Sequence, residues 1–380
     1  EICMFTAEQK RWIYENSIKV NDENKYIEIM GHYSEYFEKL GQTIEIKHYH
    51  NNGKLKSEVI YKEDGLDDLL EPFVQKVSRE EAKKCLKLFL LNIDRTLTDS
   101  FVHANIGPKD SLTGRLVLEL TQEMQLAIPN LTLKYDPELT SDEFAELCAI
   151  CMMKTAKPSF ANHRMFAKEW SEKYAIASCY NGLTIGGGGY TLPRLRLYEA
   201  SKKADSIDQF LNETIPYYCG LLWDFMNTRI CFLVEESNFF KSNFLVTEGF
   251  VKQENFTGMF GMVGLAECCN KLLGITDPKK GYGNNDEANA LGAKILQTIT
   301  DYVNSKEAKY CEGTNNRYRL HAQVGIDSDG RENSPGARIP VGCEPEMYKQ
   351  IELATLTHKY FPTGMQVIKA VLDNFDREDW

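Results

Sequence analysis

The chain has 380 residues, of which 43% are hydrophobic and 26% are charged, and its formal net charge at pH 7 is -11. This balance is typical of a globular protein with a large core and argues against disorder. The acidic charge argues against nucleic acid as a partner, because phosphates would be repelled, and the lack of an apolar run long enough to span a bilayer argues against a membrane partner.

The first residues lack a basic segment followed by an apolar core, so we expect no export signal. The chain has 11 cysteines, scattered without the spacing of a disulfide framework. A reducing compartment such as the cytoplasm is therefore the expected location.

The N-terminal segment, 1–76, is predicted to contain a helix over 1–40 and a β-hairpin over 44–61. The hairpin is indicated by alternating apolar residues around Asn52-Gly53, a dipeptide that favours tight turns.

Helical periodicity begins at Ser78, which forms a capping-box pattern with Glu81. Helices are predicted over 78–97, 140–153 and 286–304. Short strands are predicted over 131–134, 229–234 and 318–324. This alternation predicts an α/β fold with one large domain, 77–364, followed by a tail, 365–380.

Two glycine-rich stretches interrupt this pattern, 177–190 and 321–345, and we interpret both as ordered loops of functional interest. Four glycines at 186–189 are not followed by the Lys-Ser/Thr of a phosphate-binding loop. The glycines of 258–264 have the wrong spacing for a dinucleotide fingerprint, and helix packing through small residues is the favoured interpretation.

Several cysteines and histidines have a structural interpretation beside a functional one. Cys148 and Cys151 have metal-binding spacing, but they lie on the apolar face of a predicted helix and no second such pair follows, so burial is favoured. Cys268-Cys269 is also assigned to a helix. The pair in His48-Tyr49-His50 is interpreted as a surface pair. No motif of a serine hydrolase, zinc protease or kinase is present.

Cys179 differs from the other cysteines because a glycine-rich segment follows it. The sequence around Cys179 resembles glycyl radical enzymes, most closely the YjjI family, with a weaker likeness to anaerobic ribonucleotide reductase. The resemblance lies in several segments that occur in the same order along the chain. The resemblance covers about 80–364. It is carried by the segments 128–134, 157–164, 176–183, 186–189, 191–195, 258–267, 321–325 and 334–336.

The resemblance implies a 10-stranded barrel of two antiparallel half-barrels surrounded by helices, with Cys179 as the catalytic residue at its centre. In such enzymes a glycyl radical takes hydrogen from the cysteine thiol, and the thiyl radical takes hydrogen from a substrate C–H bond. This chemistry needs a neutral S–H in dry, apolar surroundings. The neighbours Ile176, Ala177, Tyr180 and Leu183 fit that requirement.

The sequence departs from the family pattern at two places. Asn181 stands where many members have a glutamate base, which argues against base-assisted chemistry. The Arg-x-x-Gly-Tyr motif of the radical segment is absent from the 380 residues. We therefore expect no tightly bound cofactor in this chain, and a glycyl radical supplied in trans by a small radical-domain protein. A radical-SAM [4Fe-4S] activating enzyme would install that radical under anaerobic conditions.

The resulting hypothesis is the thiyl-radical catalytic subunit of a split enzyme acting on a small organic substrate, with a homodimer among the expected assemblies. Two alternatives remain: a truncated or pseudoenzyme barrel that serves as a binding scaffold, and a non-radical metal or redox protein that uses its cysteines. Glu267 is assigned to a packed helix. The candidate substrate-binding residues are Asn162, His163, Tyr190, Glu248 and His321.

Overall fold

The computed structural model describes residues 45–49, 55–60, 65–96, 102–170, 173–177, 181–322 and 333–362. The chain divides into two compact units. Unit 1 comprises Glu1–Leu97, Asn105–Ala127 and Pro137–Lys157, and unit 2 comprises Thr98–Ala104, Ile128–Asp136 and Pro158–Trp380. This division does not test the segments 1–76, 77–364 and 365–380, which stay predictions.

Unit 1 contains a hairpin and a small helical core. Its described elements are β1 (Glu45–Tyr49), β2 (Leu55–Ile60), α1 (Leu66–Val74), α2 (Arg79–Thr96), α3 (Leu112–Met124) and α4 (Asp142–Thr155). The apolar positions of α1, α2 and α3 recur at helical spacing, and burying that face stabilises the three helices together. The core side chains are Val74, Ala82, Leu86, Leu90, Leu116 and Leu120.

Most predicted elements of unit 1 are confirmed. The hairpin is antiparallel, with Glu45 opposite Ile60. The Ser78 hydroxyl accepts a hydrogen bond from the backbone N–H of Glu81 at the start of α2. Helix α4 begins at Asp142, two residues later than predicted, because Ser141 caps it by accepting from the backbone N–H of Phe144. The helix predicted over 1–40 lies outside the described residues.

Unit 2 is built around a buried parallel strand, β10. The strands are β4 (Asn130–Tyr135), β5 (Ser159–Asn162), β6 (Tyr174–Ala177), β7 (Asn181–Thr184), β8 (Gly188–Thr191), β9 (Arg194–Arg196), β10 (Phe256–Val263) and β11 (Arg319–Ala322). A further strand, β3 (His103–Ile106), spans the sequence boundary between the units and completes the order β3-β4-β5. Strand β10 pairs in parallel with β8, β9 and β11.

Unit 2 also contains helices. They are α5 (His163–Trp170), α6 (Leu197–Ser201), α7 (Ile207–Gln209), α8 (Ile215–Cys231), α9 (Phe239–Ser242), α10 (Phe244–Thr247), α11 (Leu265–Leu272), α12 (Asp286–Asn304) and α13 (Met347–His358). Of these, α8 contacts β8 and β9. A Cβ added to Gly258 of β10 would come within 3.0 Å of Met226 in α8, so this face of the strand lies against that helix. Phe260 and Met262 share the face and are buried in the core.

The predicted helix over 286–304 is confirmed as α12, and the strands over 131–134 and 318–324 are confirmed as β4 and, within the described residues, β11. The strand predicted over 229–234 is wrong. Those residues continue α8 into a π-helical turn, Phe232–Glu236, since Ile230 is buried as part of a helical face.

Two interpretations of the glycine-rich stretches need correction. Residues 258–263 lie in strand β10, not in a helix, and Gly264 follows the strand, although Gly258 does give close contact to a helix. The described part of 177–190 is largely the strands β7 and β8, not a loop. From 333 to 345 the chain is irregular, as expected, with one bridge between Val263 and Pro335.

Among the described residues, no helix is both long and apolar enough to cross a membrane.

Candidate functional site

The hairpin of β6 and β7 flanks the candidate catalytic cysteine in sequence. The strands are antiparallel, and Ala177 is the register partner of Asn181. The chain passes from one to the other through residues 178–180. Cys179 is the middle residue of these three and lies outside the described residues, so its predicted burial stays a prediction.

One face of this hairpin packs on α5. A Cβ added to Gly182 would lie 2.5 Å from Nε1 of Trp170 and 2.9 Å from the Phe166 ring, so only glycine allows this approach. Its register partner Ile176 is 1% exposed and packs in the same cluster with those two rings and Tyr174. Because side chains alternate along a strand, even-numbered positions of the hairpin face the helix.

The odd-numbered positions therefore face away from α5. Asn181 is one of them, and its residue is only 4% exposed. Its Oδ1 is buried and, within the described part of the chain, accepts no hydrogen bond. A buried acceptor without a partner costs about 1–3 kcal/mol, and such groups are rare in native proteins. This makes Asn181 the most unusual polar side chain of the hairpin.

His321 of β11 lies on the face of its sheet opposite to the face that packs on α8. It is the register partner of Gly261, which is offset by an odd number of residues from the helix-facing Gly258. His321 is 0% exposed, and burial lowers its pKa to about 4, so the imidazole is neutral at pH 7. Strand β7 lies beside β8 and β10, which joins the hairpin to this sheet.

The other predicted binding residues have contacts of their own. Asn162 is exposed, and its Oδ1 accepts from the backbone N–H of Met165, which caps α5. Nδ1 of His163 lies 3.0 Å from the Tyr174 hydroxyl. These contacts explain both residues structurally, and their role in binding stays a prediction.

Tyr190 lies in strand β8, and Glu248 lies after helix α10. The Tyr190 hydroxyl donates to the backbone carbonyl of Gln253 at 3.3 Å, and its ring packs against Phe240 and Phe256. Burial raises the pKa of Tyr190 above its ordinary value. Glu248 is exposed and follows the short helix α10. Neither position tests the binding prediction.

Sequence reasoning missed a buried charged group next to the hairpin. Lys134 of β4 is only 3% exposed, donates to the backbone carbonyl of Tyr174 at 2.9 Å and lies 4.4 Å from that ring's centroid. Asp136, 3% exposed, accepts two hydrogen bonds from Arg164. The only sequence signal was a lysine at the end of an apolar strand.

Glu267 lies in helix α11, as predicted, and accepts a hydrogen bond from the Ser334 hydroxyl at 2.5 Å. Gly264, which precedes the helix, has φ of 77° and is closely approached by the Asn333 side chain. A Cβ there would lie 2.4 Å from Asn333 Oδ1, so glycine is required for the backbone conformation and for the space. The segment after residue 332 is thereby attached to the end of β10.

The cysteines for which a structural role was favoured are buried. Cys148, Cys151, Cys268 and Cys269 are each 0% exposed, and burial raises the pKa of Cys148 to about 12. Such thiols are poor nucleophiles and poor metal ligands. No group of three or more metal-binding side chains occurs among the described residues. The side chains of 48 and 50 lie outside the described part.

The family model described as "Glycyl radical enzyme YjjI-like" matches residues 57–377. An uncharacterized protein of Haemophilus influenzae is 43% identical over 301 residues, which are 79% of this chain and 58% of that protein. The uncharacterized protein YjjI of Escherichia coli is 37% identical over 330 residues, which are 87% of this chain and 63% of that protein. The chain thus spans about three fifths of the length of these relatives.

Two solved structures share the fold. The B12-independent glycerol dehydratase from Clostridium butyricum, in its glycerol-bound form, has a TM-score of 0.56 and 12% identity, over 76% of this chain and 50% of that one. An anaerobic ribonucleotide reductase from Thermotoga maritima, with citrate in its active site, has a TM-score of 0.52 and 10% identity, over 90% and 56%. At these identities the likeness concerns the fold.

Proposed function

Because the chain belongs to the YjjI-like family of glycyl radical enzymes, we propose that it is the part of a radical enzyme that carries the thiyl radical, with Cys179 as the catalytic residue. The observation that carries the proposal is the place of Cys179 in the family-matched sequence, between the register partners Ala177 and Asn181 of a hairpin packed beside β10.

The proposed reaction is a series of hydrogen-atom transfers. The glycyl radical takes the hydrogen of the Cys179 S–H, which restores glycine and leaves a thiyl radical. The thiyl radical then takes a hydrogen from a substrate C–H, which restores the S–H and leaves a substrate radical. After rearrangement, the product radical takes a hydrogen back from the thiol. The thiyl radical that this leaves takes a hydrogen from the glycine, which restores the glycyl radical and closes the cycle.

The described part of the hairpin suits such chemistry. The side chains of Tyr174 and Ile176 are buried against two aromatic rings of α5, and Ala177 and Asn181 carry no charge. Low polarity disfavours the thiolate and keeps the S–H intact. We also propose that β8 to β11 belong to the 10-stranded barrel of the family, whose strands surround the reacting groups.

The glycyl radical must come from outside the 380 residues, since they contain no Arg-x-x-Gly-Tyr. We propose that a separate small radical-domain protein provides it and that a radical-SAM activating enzyme installs it. The competing arrangement is a longer polypeptide that carries both parts. Expressing the chain with and without candidate radical-domain proteins distinguishes the two.

The test is electron paramagnetic resonance after anaerobic activation of the chain mixed with an Arg-x-x-Gly-Tyr protein. We expect a glycyl signal in the mixture and none from the chain alone. Cys179→Ser should keep the assembly and the signal but lose turnover, because an O–H bond is too strong for a glycyl radical to break. Cys85→Ser, at an exposed cysteine of unit 1, is the matched control and should behave as wild type. Undiminished turnover in Cys179→Ser would refute the radical mechanism.

A further inference from the structure

The feature that the proposed function leaves unexplained is the amide of Asn181. Its Oδ1 is buried in a residue only 4% exposed, and the described residues supply no donor to it. The neighbouring Gly182 shows why the side chain cannot turn toward α5: that side of the hairpin is filled by Trp170 and Phe166. Asn181 therefore lies on the side of the hairpin opposite to α5.

We infer that Asn181 is a substrate-specificity residue whose Oδ1 accepts a hydrogen bond from a neutral O–H or N–H group of the substrate, as in an alcohol or an amide. This inference rests on the proposed function, because it takes the neighbourhood of Cys179 to be the place where substrate binds. In this proposal the unpaired Oδ1 of Asn181 has a hydrogen-bond partner only when the substrate is bound.

The chemistry of the amide selects the class of group that can meet it. A carboxylate would place negative charge against the carbonyl oxygen. An ammonium would bury a positive charge against a neutral partner, which does not compensate the loss of hydration. A neutral donor satisfies the oxygen without either cost, and an analogue that lacks the donor leaves it unpaired.

His321 agrees with this selection. It is fully buried on the face of β11 that points away from α8, and it presents a neutral imidazole at pH 7. An amide also cannot take up a proton at neutral pH. Asn181 is thus suited to positioning the substrate, and the reaction should not depend on a base at this position.

Binding of small probes to the 380-residue chain tests the inference without any radical. The probes are ethylene glycol with its donor-free analogue 1,2-dimethoxyethane, and acetamide with its donor-free analogue N,N-dimethylacetamide. Ligand-observed NMR titrations compare wild type, Asn181→Leu and Asn181→Asp. The two probe pairs separate hydroxyl from amide donors.

For the donor probes we expect binding to be about tenfold weaker in Asn181→Leu than in wild type, as for loss of one neutral hydrogen bond in a buried site. Asn181→Asp, which keeps an acceptor oxygen, should bind them at least as well as the leucine variant. The donor-free analogues should bind wild type and Asn181→Leu equally. Equal binding of the donor probes to these two proteins would overturn the inference.

Thermal unfolding separates a binding role from a structural one. If Oδ1 has no partner in the free protein, Asn181→Leu should unfold at the same temperature as wild type or at a higher one. A clearly lower unfolding temperature would mean that Asn181 supports the fold, and would overturn the inference. Should leucine prevent folding by its shape, Asn181→Ala replaces it in both measurements. Because probe binding needs no radical, a failure of the radical mechanism and a failure of this inference give different results.

Discussion

The buried carboxyl of Asp67 should make unit 1 more stable at acidic than at neutral pH. Asp67 is 1% exposed, and burial raises its pKa from 3.8 to about 7, against the lowering effect of hydrogen bonds from the Gly107 N–H and the Ser111 hydroxyl. Its other oxygen accepts no hydrogen bond from the described residues. The folded protein therefore holds a proton here that the unfolded chain releases.

The size of the effect follows from the shift. Between pH 3.8 and 7 the folded state binds more protons at this site than the unfolded state, so stability falls as pH rises and levels off above pH 7. A shift from 3.8 to about 7 corresponds to at most about 4 kcal/mol. Asp67→Asn keeps one acceptor oxygen and cannot ionise, so it should lack this pH dependence.

The assay is urea unfolding of wild type and Asp67→Asn at several pH values from 4 to 8. The free energy of unfolding of the variant minus that of wild type should increase with pH by up to about 4 kcal/mol. Its absolute value is less informative, because the new amide N–H₂ is also buried. Asp110→Asn is the control: Arg115 lowers the pKa of that carboxyl below 3.8, so the difference between this variant and wild type should stay nearly constant from pH 4 to 8. A difference for Asp67→Asn that is constant with pH would refute the argument.

Three further perturbations are expected to give measurable results. Gly182→Ala should destabilise unit 2 by about 1–3 kcal/mol in thermal unfolding, because the new methyl group would overlap both aromatic rings of α5. Gly189→Ala is the control and should cost far less in the same assay, because the nearest contact of its methyl group would be at 3.4 Å. Replacing Cys148 and Cys151 together with alanine should cost about 1 kcal/mol or more each in stability but leave turnover intact, and complete loss of turnover in the folded variant would assign that pair a chemical role. His321→Gln should make the free energy of unfolding less sensitive to acid. In wild type this free energy should fall by up to about 3 kcal/mol as pH falls from 6.5 to about 4, because the folded state disfavours the imidazolium. An unchanged pH profile in the variant would contradict this.

The elements that could be predicted from the sequence are those with signals in their own residues. Asn52-Gly53 between alternating segments fixes the hairpin of β1 and β2. The long helix α12 has an asparagine cap, Asn285, and acidic residues in its first turn, so both its bounds and its buried face were predictable.

The elements that could not be predicted depend on tertiary contacts. After Arg229, the residues at 230–234 are all apolar and include β-branched and aromatic side chains, which favours a strand. They nevertheless extend α8, because Met226 and Ile230 bury one helical face in the core. The glycines of 258–264 gave no strand signal, since glycine is uncommon in strands. In β10 they allow Tyr318 and the backbone of Pro193 to approach closely.

The candidate site shows the same limit at a single residue. The sequence placed Asn181 where related enzymes have a glutamate, but it could not say on which side of the chain the amide would lie. That follows only from Gly182, whose missing side chain makes room for Trp170 and thereby sends the odd-numbered positions to the other face. A single glycine thus determines both the packing of the hairpin and the direction of its polar group. If Gly182→Ala moves the hairpin, donor probes should bind more weakly although Asn181 itself is unchanged, which would separate the position of the amide from its identity.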